Sequence, residues 1–309
     1  MTMQPEIKIY KRLKIKEPVM IAAWPGIGNV ALGAIDYLQW KLKATPFAEI
    51  EIEQLVAPEL VIIEQGIAKF PPVPKNVFYY HKDLNLLIFE SEAQLKDLQG
   101  LHLMLKVLDF AKQLEVQRIY TAAAFPVVIT HKDDSLAFCV GNNKSIRDYV
   151  YQHGIEIMKG GQISGLNGLL LSYAGLLGIE AACILASIPQ YMINFPNPKA
   201  SKVIIETLGK LLNFRVEMTE INLAIQEIGM KMDMIEDKIK GVLPIQEEKK
   251  TEEKEHKVPD NIMEKIEKLF EESKQDKQKA HKLKEELDRW NLYNLYEDRF
   301  LDLFRKEGQ

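Results

Sequence analysis

The chain has 309 residues, 47% of them hydrophobic, with a net charge of −4 and a pI near 6.0. That length can bury a large core, and the charge excludes an overall basic protein that grips nucleic acid by its phosphates, which needs concentrated Lys and Arg. The two cysteines, Cys139 and Cys183, each lie inside an apolar run and read as buried free thiols of a reducing compartment, not as a disulfide framework.

Met1 to Glu17 alternates Ile7, Ile9, Leu13 and Ile15 with charged side chains and lacks the apolar core of a signal peptide, so a cytoplasmic protein is expected. Val19 to Trp24 is an apolar run that predicts a buried strand, and Pro25-Gly26-Ile27-Gly28 predicts a tight turn. From Asn29 the spacing of Val30, Ala34, Tyr37 and Leu38 predicts a helix. Such a strand, turn and helix open an α/β domain, and amides at a helix start can hold an anion.

Phe47 to Leu55 interleaves Phe47, Ile50 and Ile52 with Glu49, Glu51 and Glu53, as a strand with one wet face would. Leu60 to Gln65, the rigid connection Phe70 to Pro74 and Val77 to Tyr80 suggest a small meander or hairpin set. Longer units follow: strand Leu86 to Glu90, helix Leu98 to Leu114 with Leu101, Leu105, Leu108 and Ala111 as its apolar stripe, and strand Arg118 to Ala124. Strand Leu136 to Val140 leads to a helix, Asn142 to His153, opened by Asn caps.

A second glycine-rich stretch, Gly160 to Gly168, feeds helix Leu169 to Leu177 and strand Ile179 to Ala186. Leu166 to Ile188 has Glu180 as its only charge, but Gly175 and Gly178 interrupt it and no basic flank marks an orientation. It reads as a buried helix and strand rather than a membrane span. Pro198 opens helix Lys199 to Leu212. A further helix, Glu217 to Lys240, carries Ile221, Ala224, Ile225, Ile228, Met232 and Ile235 on one face.

At Pro244 the composition turns charged. The expected organisation is an α/β core at 1–243, a charged linker at 244–258 and an amphipathic helical tail at 259–309. Two helices are expected in the tail, one with Ile262, Ile266, Leu269 and Phe270, the other with Leu283 and Leu287. Its aromatic side chains, Trp290, Tyr293, Tyr296, Phe300 and Phe304, are the kind that anchor an oligomer or partner contact. Docking back on the same subunit is the alternative, and the balanced charge makes an anionic membrane a poor partner.

Three stretches, WPGIGNVALGAIDYL, GGQISGLNGLLLSYAGLLGIEAACILASIPQY and NPKASKVIIETLGKLLNF, together resemble the proteasome assembly chaperone family of archaea and bacteria, over roughly residues 17 to 240. The resemblance implies a three-layer α/β/α domain with a mixed, mostly parallel sheet like that of purine nucleoside phosphorylases, with a helical C-terminal extension. It also implies self-association, and a protein partner that is proteasome-related where the organism has a proteasome. Relatives that bind proteasomes can present a C-terminus ending hydrophobic-Tyr-any residue. Lys306-Glu307-Gly308-Gln309 departs from that pattern, and Leu295-Tyr296-Glu297 is only an internal copy.

Gly26-Ile27-Gly28-Asn29-Val30-Ala31 satisfies the loose form of the dinucleotide fingerprint, with Glu49, Glu51 and Glu53 as candidate ribose acids. The alternating glutamates argue against it, because a buried parallel strand is nearly all apolar. The residues that could line a small-anion or metabolite cleft are Gly26, Gly28, Asn29, Gly161, Ser164 and Asn167. Ser164 is not in a nucleophile motif and reads as a residue with a backbone or helix-capping role. His131-Lys132-Asp133-Asp134 reads as a solvated turn. No histidine or cysteine has metal-ligand spacing and no lysine completes a phosphate loop, so neither catalytic residues nor a cofactor are assigned.

Overall fold

The computed structural model describes residues 5–53, 55–56, 58, 60–93, 95–242, 260–275, 279–289, 292, 296, 299–300 and 303. They fall into two compact units, Met1–Gly241 and Val242–Gln309. The first contains, in order, β1 (Glu6–Ile9), β2 (Val19–Ala23), α1 (Val30–Leu42), β3 (Thr45–Glu51), β4 (Ile62–Glu64), β5 (Ile67–Lys69), β6 (Asn76–His81), β7 (Leu86–Ser91) and α2 (Asp97–Gln113). It continues with β8 (Arg118–Val127), β9 (Ala137–Gly141), α3 (Lys144–Gln152), β10 (Glu156–Ile157), α4 (Leu166–Leu176), β11 (Glu180–Pro189), α5 (Pro198–Leu212) and α6 (Thr219–Val242).

Among the described residues, nine strands form one sheet in the order β1-β3-β6-β7-β2-β8-β11-β9-β10, and β4 and β5 pair separately as a hairpin. The central run β7-β2-β8-β11 is parallel, as is β9 with β10. The other junctions are antiparallel. The sheet is thus mixed, as expected, with parallel pairing at half its junctions. The loop Lys82 to Asn85 between β6 and β7 is too short for the crossover a parallel pair needs.

Side-chain alternation along the central strands feeds two cores. Met20, Ala22 and Trp24 face one side of the sheet, where Leu103, Met104 and Val107 of α2 and Leu170 and Ala174 of α4 cover them. Ile21 and Ala23 face the other side, under Ala34, Ile35 and Leu38 of α1, Ile146 and Val150 of α3, and Ile204 and Leu208 of α5. These are the three α/β/α layers. Phe78 anchors the first core, 4.7 Å from Phe89 and 4.9 Å from Phe110 between ring centroids. On α2 the buried stripe runs through Leu103, Met104, Val107 and Leu108, whereas Leu105 is exposed. Apolar residues surround so much of this helix that periodicity alone defines two overlapping stripes.

Cys139 belongs to one core and Cys183 to the other, so the two free thiols point to opposite faces of the sheet. Burial pushes both up to about 12, leaving them as thiols rather than nucleophilic thiolates. The apolar stretch Leu166 to Ile188 forms α4 and β11. β11 is buried as expected, whereas α4 buries only Leu170, Leu171 and Ala174 of its apolar side chains against the sheet and leaves Leu169 and Leu176 exposed, because one face of this outer-layer helix has no layer over it among the described residues. Among the described residues, no helix is long and apolar enough to cross a membrane.

The second unit contains α7 (Asp260–Gln275) and α8 (Ala280–Arg289), packed through Ile266, Phe270, Leu283, Leu287 and Phe300. Arg299 holds both carboxylate oxygens of Glu267, with its guanidinium 4.3 Å from the Phe270 ring centroid. Tyr296 packs 5.7 Å from the same ring. Two of the five aromatic residues proposed as partner anchors, Tyr296 and Phe300, therefore pack within this unit. Trp290, Tyr293, Phe304 and the charged linker 244–258 lie outside the described residues.

Candidate functional site at the strand ends

The C-terminal ends of β2, β7, β8 and β11 open on one end of the sheet. β2 continues into α1 on one face and β7 into α2 on the other. Such a switch of connection leaves a crevice at the strand ends, where α/β proteins bind ligands. Two polar clamps hold this end together.

The first clamp joins the two glycine-rich stretches. β2 ends at Ala23, so the buried main chain of Trp24 needs partners outside the strand ladder. Asn167 provides both: Trp24 N–H donates to Asn167 Oδ1 at 3.0 Å, and Asn167 Nδ2 donates to the Trp24 carbonyl at 3.0 Å. Thr121 Oγ1 in turn donates to the Asn167 carbonyl at 2.6 Å. Gly26 lies against this amide, since a Cβ there would be 3.7 Å from Asn167 Nδ2.

The second clamp ties the turn after β2 to the loop after β11. Gly28, at φ +62°, donates its N–H to the Ile193 carbonyl at 2.9 Å and accepts from Asn197 N–H at 3.1 Å. Asn197 Nδ2 donates to the carbonyls of Met192 and Phe195. A Cβ on residue 28 would come within 2.7 Å of Asn197 Nδ2. Gly28→Ala is expected to cost about 2 kcal/mol or more, from the left-handed backbone and this contact together, read as a lower urea midpoint at unchanged slope.

The remaining sequence candidates fall elsewhere. Asn29 is exposed, with φ +49° and its N–H on the Gly26 carbonyl at 3.0 Å. Because the amides of Gly28 and Asn29 both have main-chain partners, the turn does not present the anion cradle of a dinucleotide fingerprint. Glu49 and Glu51 lie on β3, separated from β2 by β6 and β7, so the expected ribose acids are not beside the turn either. Gly161 is exposed and lines a separate cavity with Asn142 and Met158. Ser164 is exposed, and the cap of α4 is Gly165 rather than Ser164. Of the six residues, the structure brings Gly26 together with Asn167 and places Gly28 with Asn29. It does not bring all six into one cleft.

A third cluster went unrecognised in the sequence. His131, in the loop after β8, places Nδ1 2.9 Å from Tyr191 Oη and Nε2 3.0 Å from Asp233 Oδ1 on α6. Lys199 Nζ donates to the carbonyls of His131, Lys132 and Asp133 at 2.8, 3.3 and 2.8 Å. Hydrogen bonds from His131 and then Lys132 hold the Asp233 carboxyl below its usual range. The main-chain and hydroxyl groups of Thr130 lower that of Asp133. His131, Asp233 and Glu236 offer ligand atoms within 4.8 Å of one another. Lys132, 3.1 Å from Asp233 and 3.3 Å from Glu236, already supplies positive charge there. This geometry is that of a brace between the loop and α6. Lys199→Met is expected to cost about 1–2 kcal/mol, because it leaves three carbonyls short of a charged donor, with faster amide exchange at 130–134 as the local readout.

Around these clamps the same end of the sheet exposes apolar side chains. Val128 after β8 is 88% exposed, and Ile27, Leu136, Tyr191, Ile193 and Phe195, on the connections that leave or enter the sheet at this end, are exposed as well. Glu49 pairs with Val77 and Val77 with Glu90, which aligns with Ala23, so the β3–β6 connection leaves the sheet at this end too. That connection contains the β4–β5 hairpin, where Ile63 is 72% exposed, Ile67 62% and Phe70 74%. Apolar surface on this scale marks sites of protein interaction.

These features define a class of protein: a three-layer α/β/α domain with a mixed sheet, clamped and apolar at the strand ends. A model of the PAC2 family matches residues 20–236, and the chain belongs to that family. An uncharacterized protein of Methanocaldococcus jannaschii is 24% identical over 218 residues, 69% of this chain and 82% of that protein. The crystal structure of Pyrococcus furiosus PbaB, an archaeal proteasome activator, is similar with a TM-score of 0.65 and 24% identity, over 75% of this chain and 99% of that one. Pyrococcus furiosus PbaA, an archaeal homolog of proteasome-assembly chaperone, gives a TM-score of 0.61 and 18% identity, over 77% and 99%. The fold is shared with these two solved structures.

Proposed function

We propose that this chain is a non-catalytic, oligomeric, cytoplasmic protein of assembly-chaperone type that binds protein partners through the apolar end of its sheet. The observation that carries this reading is the exposed hairpin with Ile63, Ile67 and Phe70, on a connection leaving the sheet at the end where Val128, Ile193 and Phe195 are also exposed. Leaving so much apolar surface in water is unfavourable, and burying it against another chain recovers that cost. Membership of the PAC2 family supports the reading, as do the likenesses to a proteasome activator and a proteasome-assembly chaperone homolog. The partners proposed are further copies of this chain and, where the source organism has a proteasome, its subunits. In this proposal residues 1–243 form the binding domain, 244–258 a linker and 259–309 an accessory helical tail.

The test replaces Ile63, Ile67 and Phe70 together by Asp. Circular dichroism is expected to stay unchanged, since all three are already exposed, while light scattering shows a smaller assembly or proteasome subunits no longer co-elute. Unchanged assembly and unchanged co-elution would refute the surface. Removing residues 244–309 separately asks what the tail adds. The core is expected to stay folded, with oligomer size or partner capture altered.

A further inference from the structure

We infer that His131, Asp233 and Glu236 bind one divalent transition-metal ion of the zinc type, which locks the loop after β8 onto α6. Among the described residues they are the one set of three such donors whose ligand atoms converge, all within 4.8 Å of one another. Asp233 and Glu236 are three positions apart on α6, so both carboxylates stand on one face of the helix. A tetrahedral ion with bonds of about 2.0–2.2 Å keeps its ligand atoms roughly 3.3–3.6 Å apart. His131 Nε2 and Asp233 Oδ1, at 3.0 Å, already lie close to that spacing, and the Glu236 side chain, 39% exposed, has room to swing in.

The imidazole is held in place for this role. The His131 side chain is only 9% exposed. Tyr191 Oη accepts from the His131 main-chain N–H at 2.7 Å and lies 2.9 Å from Nδ1. It therefore offers an acceptor to Nδ1–H, the kind of outer partner that leaves Nε2 as the metal-binding nitrogen. In that tautomer the Nε2 lone pair faces the Asp233 carboxylate, an arrangement that is unfavourable until a proton or a metal ion lies between the two. The ammonium of Lys199 fixes the loop main chain through the carbonyls of His131, Lys132 and Asp133, so the nitrogen donor is not a mobile surface side chain. By contrast, the His281 and Glu285 pair on α8 is 81% and 67% exposed.

The donor set selects the class of ion. A nitrogen ligand beside two carboxylates suits zinc, whereas magnesium and calcium prefer oxygen alone. Three protein ligands leave a fourth position for water. His131 and Asp233 also line a cavity of about 220 Å³ with Met192, Ile225 and Ile228, which gives that position room. Lys132 Nζ, 3.1 Å from Asp233 and 3.3 Å from Glu236, shows that these carboxylates already attract a cation. Its side chain is 62% exposed on a flexible stem. A divalent ion brings twice the charge to the same oxygens, so Lys132 is the competitor that it displaces. This inference does not rest on the protein-binding proposal, and either can fail without the other.

The test titrates the metal-free full chain calorimetrically with zinc chloride, with magnesium chloride in parallel. Zinc is expected to bind saturably at one site per chain and to slow amide exchange at 130–134, and magnesium to bind at least tenfold more weakly. Glu236→Gln should weaken zinc at least tenfold without lowering the melting temperature of the metal-free protein, and His131→Gln should weaken it at least as much. Lys132→Met, which removes the competing ammonium, should tighten zinc at least threefold; a brace that holds no metal gives no such gain. His281→Gln, at the exposed pair on α8, should leave the affinity unchanged. The inference is overturned if zinc does not bind, if Glu236→Gln leaves binding intact, if Lys132→Met fails to tighten it, or if His281→Gln abolishes it.

Discussion

Asn167→Ala is expected to destabilise the α/β unit by about 3–5 kcal/mol, since it leaves the buried N–H and carbonyl of Trp24 both unsatisfied, at about 1–3 kcal/mol each, and opens a small void. Asn167 is itself buried, so water is poorly placed to replace the lost amide. Asn167→Asp tests the donor half alone. A carboxylate still accepts from Trp24 N–H but faces the Trp24 carbonyl with two acceptors, so at neutral pH this variant is expected to be at least as destabilised as Asn167→Ala. Urea unfolding with the slope held common gives both values. A loss below about 1 kcal/mol for Asn167→Ala would mean that the amide does not hold the end of β2.

The second large effect depends on pH. Glu90, near the end of β7, has Oε1 buried with no hydrogen-bond partner among the described residues. Burial, then the neighbouring Asp36 and Glu92, push its carboxyl from 4.5 up to about 8. The folded state therefore holds this proton more tightly than the unfolded chain. The associated stability is fully present below about pH 4.5, falls as pH rises and is lost by about pH 8. Partial exposure softens the penalty to about 3 kcal/mol. Glu90→Gln does not titrate, so its stability relative to wild type should improve by that amount between pH 4.5 and pH 9. Thermal unfolding at several pH values measures it, and a difference that does not grow with pH would place the charge penalty elsewhere.

Local order was legible in the residues because short-range chemistry sets it. The apolar run before Pro25 became β2, Pro198 opened α5, and Asn143 accepts from Ile146 N–H at the start of α3. The layered fold was legible through the family resemblance of the two glycine-rich stretches. The roles of those stretches were not. Asn167 stood out as a polar side chain among glycines and suggested a ligand contact, yet its partner Trp24 lies 143 positions away. Nothing local records that pairing. The His131 to Asp233 contact spans 102 positions and was hidden in the same way. For Leu60 to Gln65, an apolar run signals burial without saying whether the covering surface is the chain's own core or another molecule.

Hydrogen exchange compared between the assembled protein and the dilute monomer tests the proposed surface most directly. Slower exchange is expected in the assembly at 60–73, through the β4–β5 hairpin, and at 128–129 and 190–195, with the amides of the buried central strands unchanged. Equal exchange at those segments in the two states, with new protection on another face, would contradict the assignment of the strand-end surface to protein binding.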